Sequence, residues 1–254
     1  MLQVKLSGSG SALVWGHGLL GSMAQEEATS WFYRAGMPLR MVRYDACGHG
    51  RSERPLDAVR YRWPALAADM LAVARQHAGN RFALGGQSMG CASALIAALH
   101  APTGVTKLVL ATPPTFWSTR AAQVERYQQM IRLLRARGMP SFIQLSRQHP
   151  ALPEWLQQAR PEDALPQLES LGGFSRELLT AVIQGAIASD LPAPEQLHRL
   201  QQPALILAWR DDPIHPLSSA EQLASHLPNA ELRVINKISE LADWPQQIAD
   251  FINS

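Results

Sequence analysis

Residues Arg81–His100 read RFALGGQSMGCASALIAALH, and inside them Gly86-Gln87-Ser88-Met89-Gly90 spells G-x-S-x-G. A short apolar run, Phe82-Ala83-Leu84, closes in Gly85-Gly86, and a small-residue helix starts directly after Ser88. That helix is apolar nearly all round (Ala92, Ala94, Leu95, Ile96, Ala97, Leu99), as expected for one packed against a buried sheet. A serine on so sharp a strand-to-helix turn needs near-hydrogen side chains two residues to either side, because larger ones collide with strand or helix. Gly86 and Gly90 meet that need. The turn lifts the hydroxyl out of the sheet and aims the helix N-terminus at whatever bonds to it. Five letters alone fit a glycine-rich turn with an incidental serine equally well; strand, turn and helix together favour a nucleophile.

Outward from this turn, strand and helix signals alternate. Apolar strand candidates are Ala12–Trp15, Leu39–Tyr44, Phe82–Leu84, Val105–Ala111, Ala204–Trp209 and Leu232–Ile235. Helix patterns such as Ser22–Arg34, Trp63–His77 and Ala220–Leu227 lie between or after them. Strands that are apolar throughout, separated by helices, imply a mainly parallel α/β sheet covered by helices on both faces. From about Thr112 to Gln202 the rhythm breaks: there is no convincing strand but several amphipathic helices. In Thr119–Arg137, Val124, Tyr127, Ile131 and Leu134 line one face, and Gly138 ends the run. The expected division is a core of 1–112 and 203–254 with a helical lid insertion at 113–202, lying over the C-terminal edge of the sheet, where open parallel sheets bind ligands.

Composition narrows the function classes. The chain has 254 residues, 46% hydrophobic and 17% charged, with a formal net charge of +2. The length allows one large core. A charge so near zero, without a basic block, argues against nucleic acid or a membrane surface as partner. The N-terminus lacks a cationic stretch followed by a long apolar one, and no run approaches membrane-spanning length. With two cysteines, Cys47 and Cys91, in separate segments, a cytoplasmic location is expected. Neither a metal-ligand spacing nor a phosphate loop is present, so no metal and no cofactor are expected.

A serine nucleophile needs a base, a group that orients the base, and donors for the developing oxyanion. The strand Ala12–Trp15 ends in Gly16-His17-Gly18-Leu19-Leu20-Gly21-Ser22, a glycine-rich turn able to present the Leu19 amide. The Met89 amide, directly after Ser88, would be the second donor. His17 reads as a structural hydrogen-bonder in that supporting turn with Gly18, rather than as a base. Asp45 to Ser52 (DACGHGRS) makes a tight turn that His49 and Ser52 brace.

These segments, with Trp209–Pro216 (WRDDPIHP), occur in an order that resembles the α/β-hydrolase fold superfamily nearly end to end. The resemblance implies Ser88 as nucleophile and the Leu19 and Met89 amides as oxyanion hole. It also implies a carboxylate after the strand Ala204–Trp209. Spacing to Pro216 favours Asp212 over Asp211, which is expected to face solvent or cap the turn. The departure is at the base. The family places its histidine after the last strand, where this chain reads Val234-Ile-Asn-Lys-Ile-Ser-Glu-Leu-Ala-Asp-Trp-Pro245 and has no histidine. The candidate nearest by position is His215, three residues beyond Asp212; His149 and His198 from the insertion are alternatives, and His226 reads as a surface residue. Where a triad acts as a unit, loss of the histidine costs on the order of 10⁶ in turnover. The sequence therefore leads either to an unusual base or to a weak or silent hydrolase.

The expected activity is hydrolysis of a carboxylic ester or thioester, a small-molecule acyl substrate, through an acyl-enzyme. The alternative is a catalytically silent, ligand-binding protein of the same fold. Within the insertion, Arg120, Arg126, Arg132, Arg135, Arg137 and Arg147 could receive an anionic substrate portion, although a solvated helix face accounts for them better. Phe116, Trp117 and Met130 are candidates for an acyl pocket, with core packing as the commoner role.

Overall fold

The computed structural model describes residues 1–254. Its strands are β1 (Val4–Ser7), β2 (Ala12–Gly16), β3 (Arg40–Tyr44), β4 (Phe82–Gln87), β5 (Val105–Ala111), β6 (Ala204–Trp209) and β7 (Ala230–Ile235). They form one sheet in the order β1-β3-β2-β4-β5-β6-β7, antiparallel only at β1–β3. The helices are α1 (Met23–Thr29), α2 (Trp63–His77), α3 (Met89–His100), α4 (Arg120–Gln148), α5 (Glu154–Ala159), α6 (Ala164–Gly172), α7 (Arg176–Ile187), α8 (Pro194–Leu197), α9 (Leu217–His226), α10 (Ile238–Leu241) and α11 (Trp244–Asn253).

The apolar strands divide their side chains between two cores. Val14, Val42, Leu84, Leu110 and Ile206 face one side, under α2 and α3. Their neighbours Leu13, Met41, Ala83, Val109 and Leu205 face the other, against α11. Period-two alternation with both faces buried yields the continuous apolar runs of the sequence. The second core is rich in aromatics: Trp244 stacks on Phe32 at 5.4 Å and on Trp209 at 5.5 Å between ring centroids. This clamps the end of β6.

Three departures from the sequence expectations bear on the fold. The helix expected over Ser22–Arg34 stops at Thr29, where Ser30 turns left-handed (φ 56°). Beyond it Trp31 and Phe32, each 2% exposed, reach the aromatic core, and that burial outweighs one more helical turn. The edge strand β1 has no counterpart among the sequence candidates. The run ending at Gly138 continues as α4 after a kink there (φ 71°, ψ −178°), and Pro140 falls in the first turn of the second half, where its missing N–H costs nothing.

Between β5 and β6 every regular element is helical, α4 to α8 with short 3-10 turns. Strand register brings the functional loops to one edge: Gly16 pairs with Gly86, Gln87 with Ala111, and Ala111 with Leu207. No helix is long and apolar enough to cross a membrane.

Candidate active site

Ser88 sits between β4 and α3 with φ 51° and ψ −105°, a backbone conformation L-residues rarely adopt. Two contacts hold it there. The Ser88 amide donates to the Ala111 carbonyl at 3.0 Å, and Gly86 and Gly90 press against β2. A Cβ on Gly90 would lie 2.0 Å from the Gly16 carbonyl oxygen, and one on Gly86 2.5 Å from the same atom. This is the crowding from which the glycine spacing was read.

After β6, the chain turns at Asp211, which is exposed and left-handed (φ 60°). Asp212 then closes the loop on itself: its Oδ1 accepts the Ile214 amide at 2.7 Å and the His215 amide at 2.9 Å. Pro213 and Pro216 stiffen the same turn. The closure returns the His215 ring to the carboxylate that made it, with Nδ1 2.9 Å from Asp212 Oδ2. On the far side of the ring, Nε2 lies 2.9 Å from Ser88 Oγ. An ionised carboxylate can only accept, so Nδ1 carries the hydrogen and Nε2 presents its lone pair to the serine hydroxyl. The Trp209 indole N–H donates to Asp212 Oδ2 as well. Burial pushes the Asp212 carboxyl up, but the His215 charge and the hydrogen bonds from His215 and Trp209 outweigh it and hold it below the ordinary aspartate range. Its side chain is 1% exposed.

Two backbone donors stay free, one in the turn after β2 and one at the start of α3. Gly21 N–H closes the turn on the Gly18 carbonyl at 3.0 Å, and the Leu20 amide donates to His49 Nε2 at 3.2 Å. The amides of Leu19 and Met89 make no intramolecular hydrogen bond. Leu19 lines the cavity beside Ser88, and Met89 opens α3. His17 accepts the Ala46 amide at Nε2 (3.0 Å) and pairs with the Gly18 carbonyl through Nδ1 (2.8 Å), away from Ser88. Burial lowers both histidines' pKa values, that of His49 to about 3 with the neighbouring His17 adding to the shift. Ser52 braces the adjoining turn by donating to the Asp45 carbonyl, and Asp45 accepts the amides of Met23 and Arg51.

The remaining sequence candidates separate cleanly. His149 lines the cavity without bonding to Ser88, whereas His198 and His226 pair with each other at 3.4 Å on the exposed surface. Met130 lines the cavity, but Phe116 and Trp117 do not: Phe116 is fully buried and Trp117 packs on it and on His226. Of the insertion's arginines, none lines the cavity. Arg120 is buried against carbonyls of Thr115, Ala186 and Ser189, and Arg126, Arg132, Arg135, Arg137 and Arg147 are exposed. No group of three or more histidine, cysteine, aspartate or glutamate side chains is placed to hold a metal. The Trp209 bond to Asp212 escaped the sequence reading, since strand twist and rotamer decide whether an indole three residues back can reach a carboxylate.

Comparison with known proteins follows the same lines. A family model described as alpha/beta hydrolase fold matches residues 12–241. A Caulobacter segnis protein named for carbamate hydrolysis, RutD, is 27% identical over 197 residues, covering 77% of this chain and 72% of that one. A Burkholderia vietnamiensis protein named 2-hydroxy-6-oxononadienedioate/2-hydroxy-6-oxononatrienedioate hydrolase is 28% identical over 238 residues, covering 85% and 78%. Among solved structures, an enol-lactonase from Burkholderia xenovorans superposes with a TM-score of 0.83 at 17% identity, covering 100% of this chain and 96% of that one.

Proposed function

The chain belongs to the α/β-hydrolase fold family, and on that premise we propose that it is a serine-dependent hydrolase of carboxylic esters or thioesters working through an acyl-enzyme. One observation carries this reading: a continuous relay runs from Ser88 Oγ through the His215 ring to Asp212, with 2.9 Å at each step. In this reading Ser88 Oγ attacks the acyl carbon as His215 Nε2 takes its proton, and Asp212 stabilises the imidazolium. The Leu19 and Met89 amides receive the oxyanion. His215 returns the proton to the leaving group, and water, activated by the same ring, releases the acid. The core of 1–112 and 203–254 would hold the machinery, with 113–202 as a cap over it. The names of the relatives support hydrolysis; the ester or thioester preference rests on the chemistry of the site.

A panel of short-chain nitrophenyl esters and thioesters tests the reading with wild type, Ser88→Ala and His215→Ala. Loss of at least about 10³ in kcat in both variants is expected. Activity that survives His215→Ala would remove it as base, and a wild type that neither turns over the panel nor labels at Ser88 with a fluorophosphonate would return the cavity to ligand binding.

A further inference from the structure

The cavity in front of Ser88 and His215 has a volume of about 210 Å³, and no arginine, lysine, aspartate or glutamate lines it. A buried charge without a partner is costly, so such a wall favours an uncharged acyl group. The wall is not purely apolar, however. Gln87, directly before the nucleophile, lines it from the end of β4 and is 9% exposed. Its carboxamide lies against the oxyanion turn. A Cβ on Gly18, itself part of the cavity wall, would stand 3.3 Å from Gln87 Oε1 and 3.4 Å from Gln87 Cδ. The bare backbone at Gly18 gives the carboxamide its place, one residue from the Leu19 amide.

Neither Oε1 nor Nε2 of Gln87 bonds to another group of the protein, and neither is sealed from solvent. Gln25 also lines the cavity, but it borders a second pocket, shared with Arg54 and Glu169, from which solvent reaches it as well. Gln87 sits in the middle of the sheet, paired with Ala111 of β5, and its hydration depends on what fills the cavity. A hydrocarbon acyl chain packed there would desolvate both polar atoms and replace neither hydrogen bond. A hydroxyl in the same place donates to Oε1 or accepts from Nε2, and a primary amide does both. Given the serine-hydrolase reading, we propose that the cavity selects uncharged acyl groups bearing a hydroxyl or an amide one or two carbons from the scissile carbonyl, received by the carboxamide of Gln87.

The test separates binding from turnover. Ser88→Ala protein is titrated by calorimetry with four phenyl esters of nearly equal size: 3-methylbutanoate, 3-hydroxybutanoate, malonamate and the malonate half-ester. The hydroxyl and amide esters should bind about tenfold tighter than the 3-methylbutanoate, with the carboxylate weakest. Adding Gln87→Leu should bring that ratio to about one; Gln87→Met serves if the leucine variant misfolds. Equal or undetectable binding across the four overturns the proposal, as do tighter binding of the methyl or carboxylate ester and a ratio that survives loss of the carboxamide. The same esters with wild type report on the underlying reading. Selective binding without Ser88-dependent turnover would sink the hydrolase and keep the selectivity, whereas turnover without selectivity would do the reverse.

Discussion

The two oxygens of Asp212 face different tasks. Oδ1 gathers the amides of Ile214 and His215 and so shapes the loop, while Oδ2 holds the His215 ring and the Trp209 indole. Removing the indole donor leaves the loop closed but frees the carboxylate to rotate. Trp209→Phe keeps an aromatic ring in the stack, so kcat should fall about tenfold with KM little changed, the cost of one charge-assisted hydrogen bond. A KM rise at constant kcat in steady-state kinetics would contradict that role. Gly90 presents a steric case instead: the Cβ of Gly90→Ala meets the Gly16 carbonyl oxygen at 2.0 Å. Neither backbone can yield without moving β2 or α3. The variant should lose at least about 2 kcal/mol in urea unfolding or fail to accumulate folded; wild-type stability would refute the clash. The glycines and Ser88 were legible because steric need translates directly into residue type. His215 was legible only as one candidate among several, since the left-handed Asp211 and the closure by Asp212 are three-dimensional facts.

At the scale of elements, the loop carrying Asp212 and His215 is tied to the helical insertion from two sides. Arg126 of α4 donates to the Pro213 carbonyl at 2.6 Å, and the Trp155 indole of α5 donates to the Arg210 carbonyl at 3.1 Å. On the proposed reading the base sits three residues from its acid on a short loop and so depends on that loop holding still, because misplacement by about 1 Å is costly in rate. Arg126→Ala should therefore lower kcat a few-fold on every ester while Tm changes little, as Arg126 is exposed. Unchanged kcat alongside a lowered Tm would make it a stabilising contact only. The central strands were legible for a related reason: burial on both faces demands apolar residues throughout. Strand β1, four residues at an exposed edge, carries no such demand and left no signal. Helix α1 was overextended because amphipathic pattern alone does not show that Trp31 and Phe32 leave the helix to join aromatics that arrive from β6 and α11.

Across the whole molecule, ionisable groups lie buried around the sheet, and their effects on stability oppose one another. Burial raises the Glu26 carboxyl to about 7 from an ordinary 4.5, against the Trp15 indole bond and the Arg43 charge, with Asp45 and Glu27 adding to the rise. Below about 4.5 folded and unfolded chains both hold this proton. Between about 4.5 and 7 only the folded chain keeps it, so stability falls as pH rises through that window and is lower by about 3 kcal/mol above it. His17 and His49 act in the opposite sense. Their buried rings resist protonation while the unfolded chain takes it up below about 6.5, which lowers stability as pH falls. A wild-type pH profile mixes these contributions, but the difference between wild type and Glu26→Gln isolates the first, because the histidines contribute equally to both. The glutamine Oε1 retains an acceptor for the Trp15 indole, which now donates to Glu26 Oε1 at 2.8 Å. Glu26→Gln should therefore gain about 2–3 kcal/mol relative to wild type between about pH 5 and pH 8 in denaturant unfolding, the gain being absent at the acid end. A difference that stays constant with pH would place the Glu26 proton outside this window and leave the histidines as the main buried titrating groups.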